Sequence, residues 1–411
     1  MKVVHIVGGD ITGGAARGAY WLHQALLNID IESTLIVAGK GPDNDKTVLS
    51  LSDSKLAKFY TRLRSKLDGL ATEVYKKRKR RLFSTGFIGY DFTKTEMYQK
   101  ADVVHLHWIN GGMVNIKTLA KINKPVIWTI RDMWPLTGGC HYSLDCNKFK
   151  SECGACPQLH SNHYRDLSNW VFRHKQENLP ANLTVVGISN WLTDLAKSSS
   201  TFKNRKCLTI LNNIDVNSFS FINKEIARKI LGLNTHKQLV LCGASKVDDF
   251  YKGFHKFTEA LQYLNPEKVC LMFFGELDEI KISKLGFEYR SFGFVKHNEM
   301  LNNVYAAADV YAAPSIQEAF GKTLAESQCS GTPVVCFDVT GPQDIVEHKI
   351  TGYKAYPFDS KDLASGIEWV LTHKNQNTLR QITREKAISK FDSKLIASEY
   401  ANLYKRVTKS K

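Results

Sequence analysis

Residues 311–337, YAAPSIQEAFGKTLAESQCSGTPVVCF, set two carboxylates, Glu318 and Glu326, around a glycine turn between two apolar runs. YAAPS reads as the end of a buried strand, Pro314 and Ser315 turn the chain, and a helix begins near Phe320, Gly321 and Lys322. The first N–H groups of such a helix have no partner within it and lie at its positive dipole end, so they attract phosphate. Glu318, before the turn, can accept hydrogen bonds from sugar hydroxyls. Glu326, expected near two turns into the helix, can hold a ribose diol through both oxygens. On one continuous helix the two would stand about 12 Å apart, too far for the usual carboxylate pair of a glycosidase. The frame EAFGKT, LAES, GTPVV between apolar strands points instead to binding an anionic, hydroxyl-rich ligand.

Other positions suit the same ligand. ITGGAARG, after the first apolar run, puts Gly13, Gly14 and Gly18 where the backbone can approach a ligand closely, with a helix N-terminus behind them. The spacing is not that of the dinucleotide fingerprint. Arg17 beside this turn is either a ligand contact or a solvated helix-start residue. Lys246 and Lys252 follow the strand QLVLCGASK, and KGF opens a helix, so two point charges stand ready for a leaving phosphate. ADVVHLHWI and PVIWTIRDMW each end in polar residues, and open α/β sheets bind ligands at that carboxyl edge. His107 is a candidate contact there with Asp132, although His105 and His107 alternate with apolar residues and one of them can simply be packed.

Four of the nine cysteines crowd together as Cys140, Cys146, Cys153 and Cys156, spaced C-x5-C-x6-C-x2-C, with His141 and His160 nearby. In a reducing compartment this grouping reads as a structural zinc site or a set of free thiols rather than a disulfide framework.

The elements that position these residues alternate strand and helix from the first residue, as in a parallel α/β sheet. A chain of 411 residues suits two domains, and the irregular crossing after CLTILNN places the boundary at 213. A second strand–helix series runs over 214–389, and a charged amphipathic helix pattern from about 380 to the end suggests a final helix, about 390–411, packed back on the first domain. The formal charge of +16 calls for an anionic partner. Residues 55–82, KLAKFYTRLRSKLDGLATEVYKKRKRRL, hold eleven Lys or Arg with Leu56, Phe59, Leu63, Leu67 and Leu70 at helical spacing. That segment reads as contact with an anionic membrane, the alternatives being a solvated packed helix or a nucleic-acid contact. With no run of eighteen apolar residues and no leader pattern, the expected location is the cytoplasm, peripherally on the inner face of the cell membrane.

The spacing of Glu318 and Glu326, with seven residues between them, resembles the signature of glycosyltransferase family 4. TIRDMWPLTGGC resembles the TxHDMW strand end followed by TGGC in a branch that assembles bacterial surface polysaccharides. The likeness covers nearly the whole chain. It implies a GT-B fold, two Rossmann-like domains facing across a cleft, with 1–213 on the acceptor side and 214–389 binding the nucleotide sugar. It further implies retaining transfer from a UDP- or GDP-sugar to a glycan or polyprenyl-diphosphate-linked acceptor. The donor contacts implied are Gly13, Gly14, Lys246, Lys252, Gly275, Glu318, Phe320, Gly321, Lys322, Thr323 and Glu326. Glu318, Lys252, His107 and Arg131 are the implied catalytic positions. Arg131 stands where many relatives carry histidine, and a guanidinium holds phosphate or a sugar oxygen but cannot shuttle a proton. No metal is expected for catalysis, since basic groups can serve as the charge sink. Two other readings are a noncatalytic partner subunit of the same fold and a nucleic-acid-binding protein, the latter without any recognisable module in the chain.

Overall fold

The computed structural model describes residues 1–11, 13–42 and 45–409. The chain folds as two units, Met1–Asn213 with Ser393–Lys411, and Ile214–Asp392. Both are parallel α/β sheets of Rossmann type.

The first unit contains β1 (Lys2–Val7), β2 (Glu32–Val37), β3 (Val48–Ser50), β4 (Val103–Leu106), β5 (Val126–Ile130), β6 (Leu183–Gly187) and β7 (Lys206–Thr209). Their order across the sheet is β3-β2-β1-β4-β5-β6-β7. Every neighbouring pair is parallel. Such strands are covered on both faces, which is why β5 and β6 are buried throughout and read as unbroken apolar runs. Helix α1 (Gly14–Leu27) starts at Gly13 without a side-chain cap and buries Leu22 and Leu26. The final helix, Ser393–Lys409, closes the same core with Ile396, Tyr400, Leu403 and Tyr404 packed on Val3, Val103 and Ile127.

The second unit contains β8 (Gln238–Lys246), β9 (Val269–Glu276), β10 (Glu288–Ser291), β11 (Val310–Ala313), β12 (Val334–Phe337) and β13 (Gly352–Ala355). The order is β10-β9-β8-β11-β12-β13, parallel throughout. Its core joins Val240, Phe257, Leu271, Phe273, Val335 and Ile367. In each sheet the strand order reverses once, between β1 and β4 and between β8 and β11. A crevice opens at the carboxyl ends of strands at such a point.

Two helical expectations change. The basic segment 55–82 is helical only as α2 (Lys55–Leu70), followed by one tight turn at Ala71–Val74. The Lys76–Arg81 run lies outside any helix, since six consecutive cations repel one another and offer no apolar side to bury. The pattern after residue 380 is two helices, Gln376–Phe391 and Ser393–Lys409. They are separated at Asp392, whose backbone (φ −54°, ψ 125°) is not helical. Residues 410 and 411 lie outside the described residues.

Candidate functional site

The β8/β11 reversal gathers the charged residues of the second unit. Gly253, after β8, has φ 69°, and a Cβ there would stand 1.9 Å from the Pro314 carbonyl oxygen at the end of β11. Only glycine allows that approach. The Ile316 amide donates to the Tyr251 carbonyl at 2.8 Å, so the two loops are stitched together. This brings the Lys252 ammonium into direct contact with a Glu318 carboxylate oxygen across 66 residues of sequence. Lys252 stays about one-third exposed and Glu318 about one-sixth, so the pair borders solvent.

Gly321 has φ 103° and begins the helix Lys322–Cys329 with no side-chain cap. This helix start lies three residues after Glu318 in sequence, and its first turn holds no acidic side chain. The Tyr311 hydroxyl donates to the Gly243 carbonyl at 2.6 Å and stands 3.0 Å from Thr323 Oγ1, tying the helix start to β8. Between them is a depression of about 10 Å³, lined by Ala244, Lys252, Ser315 and Thr323 among others. Lys246 is exposed at the end of β8, in register with Glu276. Gly275, φ 104°, crosses so close to β8 that a Cβ would stand 1.6 Å from the Ala244 carbonyl oxygen.

Two expected contacts sit differently. Phe320 is buried against Phe391, with ring centroids 5.6 Å apart, and is a core residue here. Glu326 is the fifth residue of its helix, little more than one turn in, and fully buried. Its carboxylate accepts from the Tyr305 hydroxyl at 3.1 Å. Tyr305 was not legible as a partner, because that contact depends on how the helix Asn298–Ala307 packs.

In the first unit Gly13 and Gly14 lie at the start of α1, as the glycine turn predicts. His107 follows β4 and Arg131 follows β5, and both are buried. Arg131 donates to Asn212 Oδ1 at 2.9 Å and approaches His107 Nδ1 at 3.3 Å. A guanidinium has only donors, so His107 Nδ1 must accept. The ring proton then sits on Nε2, which gives it to His5 Nδ1 at 2.9 Å. His105 contacts the Tyr404 and Thr129 hydroxyls, each at 2.7 Å. Burial pulls all three histidines well below the usual imidazole range, and pulls Arg131 down to about 10. Asp132 accepts from Trp108 Nε1 at 2.8 Å and from the Trp134 amide at 2.9 Å, and holds His141 Nδ1 at 2.6 Å.

Among the described residues, the one group of three or more potential metal ligands within 4.8 Å of one another is His5, His105 and His107. It contains no carboxylate, and an arginine cation abuts it, so it suits neutral packed imidazoles better than a metal ion. The four cysteines form no such group. Cys140, Cys153 and Cys156 are buried free thiols and Cys146 is half-buried. The Gly138 amide donates to Cys153 Sγ at 3.2 Å, and burial pushes the Cys153 thiol up to about 12. Lys175, buried beside them, donates to the Trp134 carbonyl and lies 4.0 Å from that ring's centroid.

Residues 223–389, nearly all of the second unit, match the family of glycosyl transferases group 1. An uncharacterized glycosyltransferase of Methanocaldococcus jannaschii is 24% identical over 350 residues, which is 77% of this chain and 88% of that protein. Among solved structures, sucrose-phosphate synthase from Thermosynechococcus elongatus superposes with a TM-score of 0.71 at 17% identity, over 100% of both chains. An Anabaena protein in complex with UDP and glucose superposes with a TM-score of 0.64 at 17% identity, over 98% of this chain and 99% of that one. These structures share the fold of two Rossmann-like units with this chain, and the match to glycosyl transferases group 1 falls on its second unit.

Proposed function

We propose that this glycosyltransferase moves a sugar from a nucleoside diphosphate donor to a glycan or lipid-linked glycan acceptor, with retention at the anomeric carbon. The observation that carries the proposal is the Lys252–Glu318 pair beside the uncapped helix start at Gly321, at the β8/β11 reversal. Breaking the donor's glycosidic bond leaves negative charge on the diphosphate. Lys252, Lys246 and the amides of Gly321, Lys322 and Thr323 are donors of the right sign to stabilise it. Glu318 leaves Lys252 for the sugar hydroxyls when the diphosphate takes its place, so one ligand satisfies both halves of the pair. The acceptor's proton passes to the leaving phosphate, which needs no metal ion. Glu326 receives the ribose diol by turning away from Tyr305, and Gly275 lines the space for the base.

UDP is the first nucleotide to try, because the Anabaena relative in fold binds it. In the first unit the amides of Gly13 and Gly14 are proposed phosphate donors, and His107 and Arg131 are proposed contacts to a sugar or phosphate oxygen. The pathway proposed, from the TIRDMWPLTGGC resemblance, is assembly of a bacterial exopolysaccharide, capsule or O-antigen on the inner face of the membrane, with residues 55–82 on the anionic surface. Among the described residues no helix is long and apolar enough to cross a membrane. A structural zinc on Cys140, Cys146, Cys153 and Cys156 is a separate proposal; it requires the thiols to close to about 3.8 Å around the ion.

The test is release of free UDP or GDP from sugar nucleotides in EDTA, with and without a mixture of polyprenyl-diphosphate-linked glycans. Release that depends on acceptor and is lost in Lys252→Ala supports transfer. Equal release without acceptor means hydrolysis and overturns it.

A further inference from the structure

Both carboxylates of the EAFGKTLAES frame are held by a donor of the protein's own. Glu318 meets Lys252 and borders solvent. Glu326 accepts from the Tyr305 hydroxyl at 3.1 Å and is 0% exposed, so it is shut in. A ribose diol can reach Glu326 only by exchange with that hydroxyl.

Tyr305 is built to stay where it is. Its ring is enclosed by Phe219, Phe274 and Tyr311, with centroids 6.1, 5.5 and 5.8 Å away. Its carbonyl accepts from Thr332 Oγ1 at 2.7 Å, which pins the last turn of the helix Asn298–Ala307. A ring packed on so many sides keeps one orientation, so the exchange falls to Glu326, whose longer side chain has more rotatable bonds. The same stack supports the rest of the proposed nucleotide site. Tyr311 carries the contacts to Gly243 and Thr323, and Phe274, the residue before Gly275, fills the space that a Cβ on Gly243 would need. Tyr305 is therefore a fixed hydrogen-bond donor at the back of that site.

We infer that Tyr305 is a positioning residue for release of the nucleotide product: it competes with the ribose for Glu326 and takes the carboxylate back as the nucleoside diphosphate leaves. This rests on the transferase reading, in which Glu326 holds the ribose. The intact donor is held through its sugar as well as its nucleotide, and the exchange at Glu326 is a small cost against those contacts. Once the sugar has gone to the acceptor its contacts are lost, and the recovered Tyr305–Glu326 bond offsets a larger share of what still holds the nucleotide. A hydrogen bond to a charged group shifts an equilibrium about tenfold or more. Product release limits turnover in many enzymes, and an internal competitor speeds it without touching the reacting atoms.

Calorimetry and stopped-flow displacement on the full chain in EDTA, with UDP and with 2′,3′-dideoxy-UDP, test this. Tyr305→Phe removes only the hydroxyl. It should bind UDP about tenfold more tightly, chiefly through slower dissociation, and in transfer assays it should lower KM and kcat together. Dideoxy-UDP has no diol to draw Glu326 away, so its affinity should be the same in both proteins. Against Glu326→Ala, the change at Tyr305 should have no effect on UDP. A Tyr305 that merely supports the fold gives the opposite sign, because a loosened site weakens both nucleotides. Unchanged or weaker UDP binding by Tyr305→Phe overturns the inference, as does equal tightening for both nucleotides. A measurement on the wild type needs no variant to fold: UDP should produce a tyrosine ultraviolet difference signal that dideoxy-UDP does not, and equal signals overturn the exchange. Wild type that binds UDP while Tyr305→Phe changes nothing refutes only this inference. Wild type that binds neither UDP nor GDP refutes the donor-site reading beneath it.

Discussion

Acid should unfold the first unit through four histidines, His5, His23, His105 and His107, all 0–1% exposed. His23 on α1 is held between Ser33 Oγ at 2.7 Å and Thr47 Oγ1 at 2.9 Å, and burial, opposed by the charge of Asp45, lowers its pKa to about 4. Below pH 6.5 the unfolded chain takes up a proton that folded His23 refuses, so stability falls as pH falls. Its contribution is complete above pH 6.5 and lost by about pH 4. The loss reaches about 2 kcal/mol at pH 5 and about 3 kcal/mol in full, at 1.36 kcal/mol per pH unit of difference between the states. His5, His105 and His107, also held well below their ordinary range, add to it in the same direction. A domain's whole stability is about 5–15 kcal/mol, so the first unit should approach its unfolding threshold near pH 5. Six of the seven tryptophans, all but Trp369, lie in that unit, so tryptophan fluorescence in urea reports its midpoint. The midpoint should fall steeply from pH 7.5 to 5, and His23→Gln should recover about 2 kcal/mol of that fall. Equal midpoints at pH 7.5 and 5 would mean that the buried histidines do not set the acid limit of this unit.

Gly253→Ala should lower the stability of the second unit by about 2 kcal/mol or more, through left-handed strain and the contact with Pro314; an unchanged urea midpoint by circular dichroism contradicts this. Lys252→Ala should slow transfer about a hundredfold, as loss of an oxyanion donor does, with Lys252→Arg retaining part of the rate. Glu318→Gln should tighten binding of free UDP by removing the carboxylate that competes for Lys252, while slowing transfer; weaker UDP binding by calorimetry speaks against that competition. Zinc-loaded protein should carry one zinc per chain and melt above its EDTA-treated form, and Cys153→Ala should lose both metal and difference; identical melting ends the zinc proposal.

The sheets were legible because strands covered on both faces read as apolar runs. β3 and β13 escaped, being three and four residues long with mixed exposure. The helix pattern after residue 380 continued through Asp392, since periodicity records which side is apolar and not which unit each part serves. Glu326 was set too far along its helix because Gly321, in a left-handed conformation, starts the helix later than the motif suggests. Lys252 and Glu318 were each legible as charged residues after a strand. Their meeting depends on β8 lying beside β11, which only the topology supplies. The His5–His107 hydrogen bond is likewise a product of pairing β1 with β4 in register. The spacing of Leu56, Phe59 and Leu63 marks an apolar side on α2 but is the same whether that side faces a core or water; the structure leaves it exposed.

Titration of UDP into the wild-type protein and Lys252→Ala in EDTA, by calorimetry, decides whether the β8/β11 reversal holds the donor. One metal-independent site per chain is expected, weakened at least tenfold by Lys252→Ala. Absence of UDP and GDP binding, or equal affinity in both proteins, would contradict the assignment of the β8/β11 reversal as the donor site.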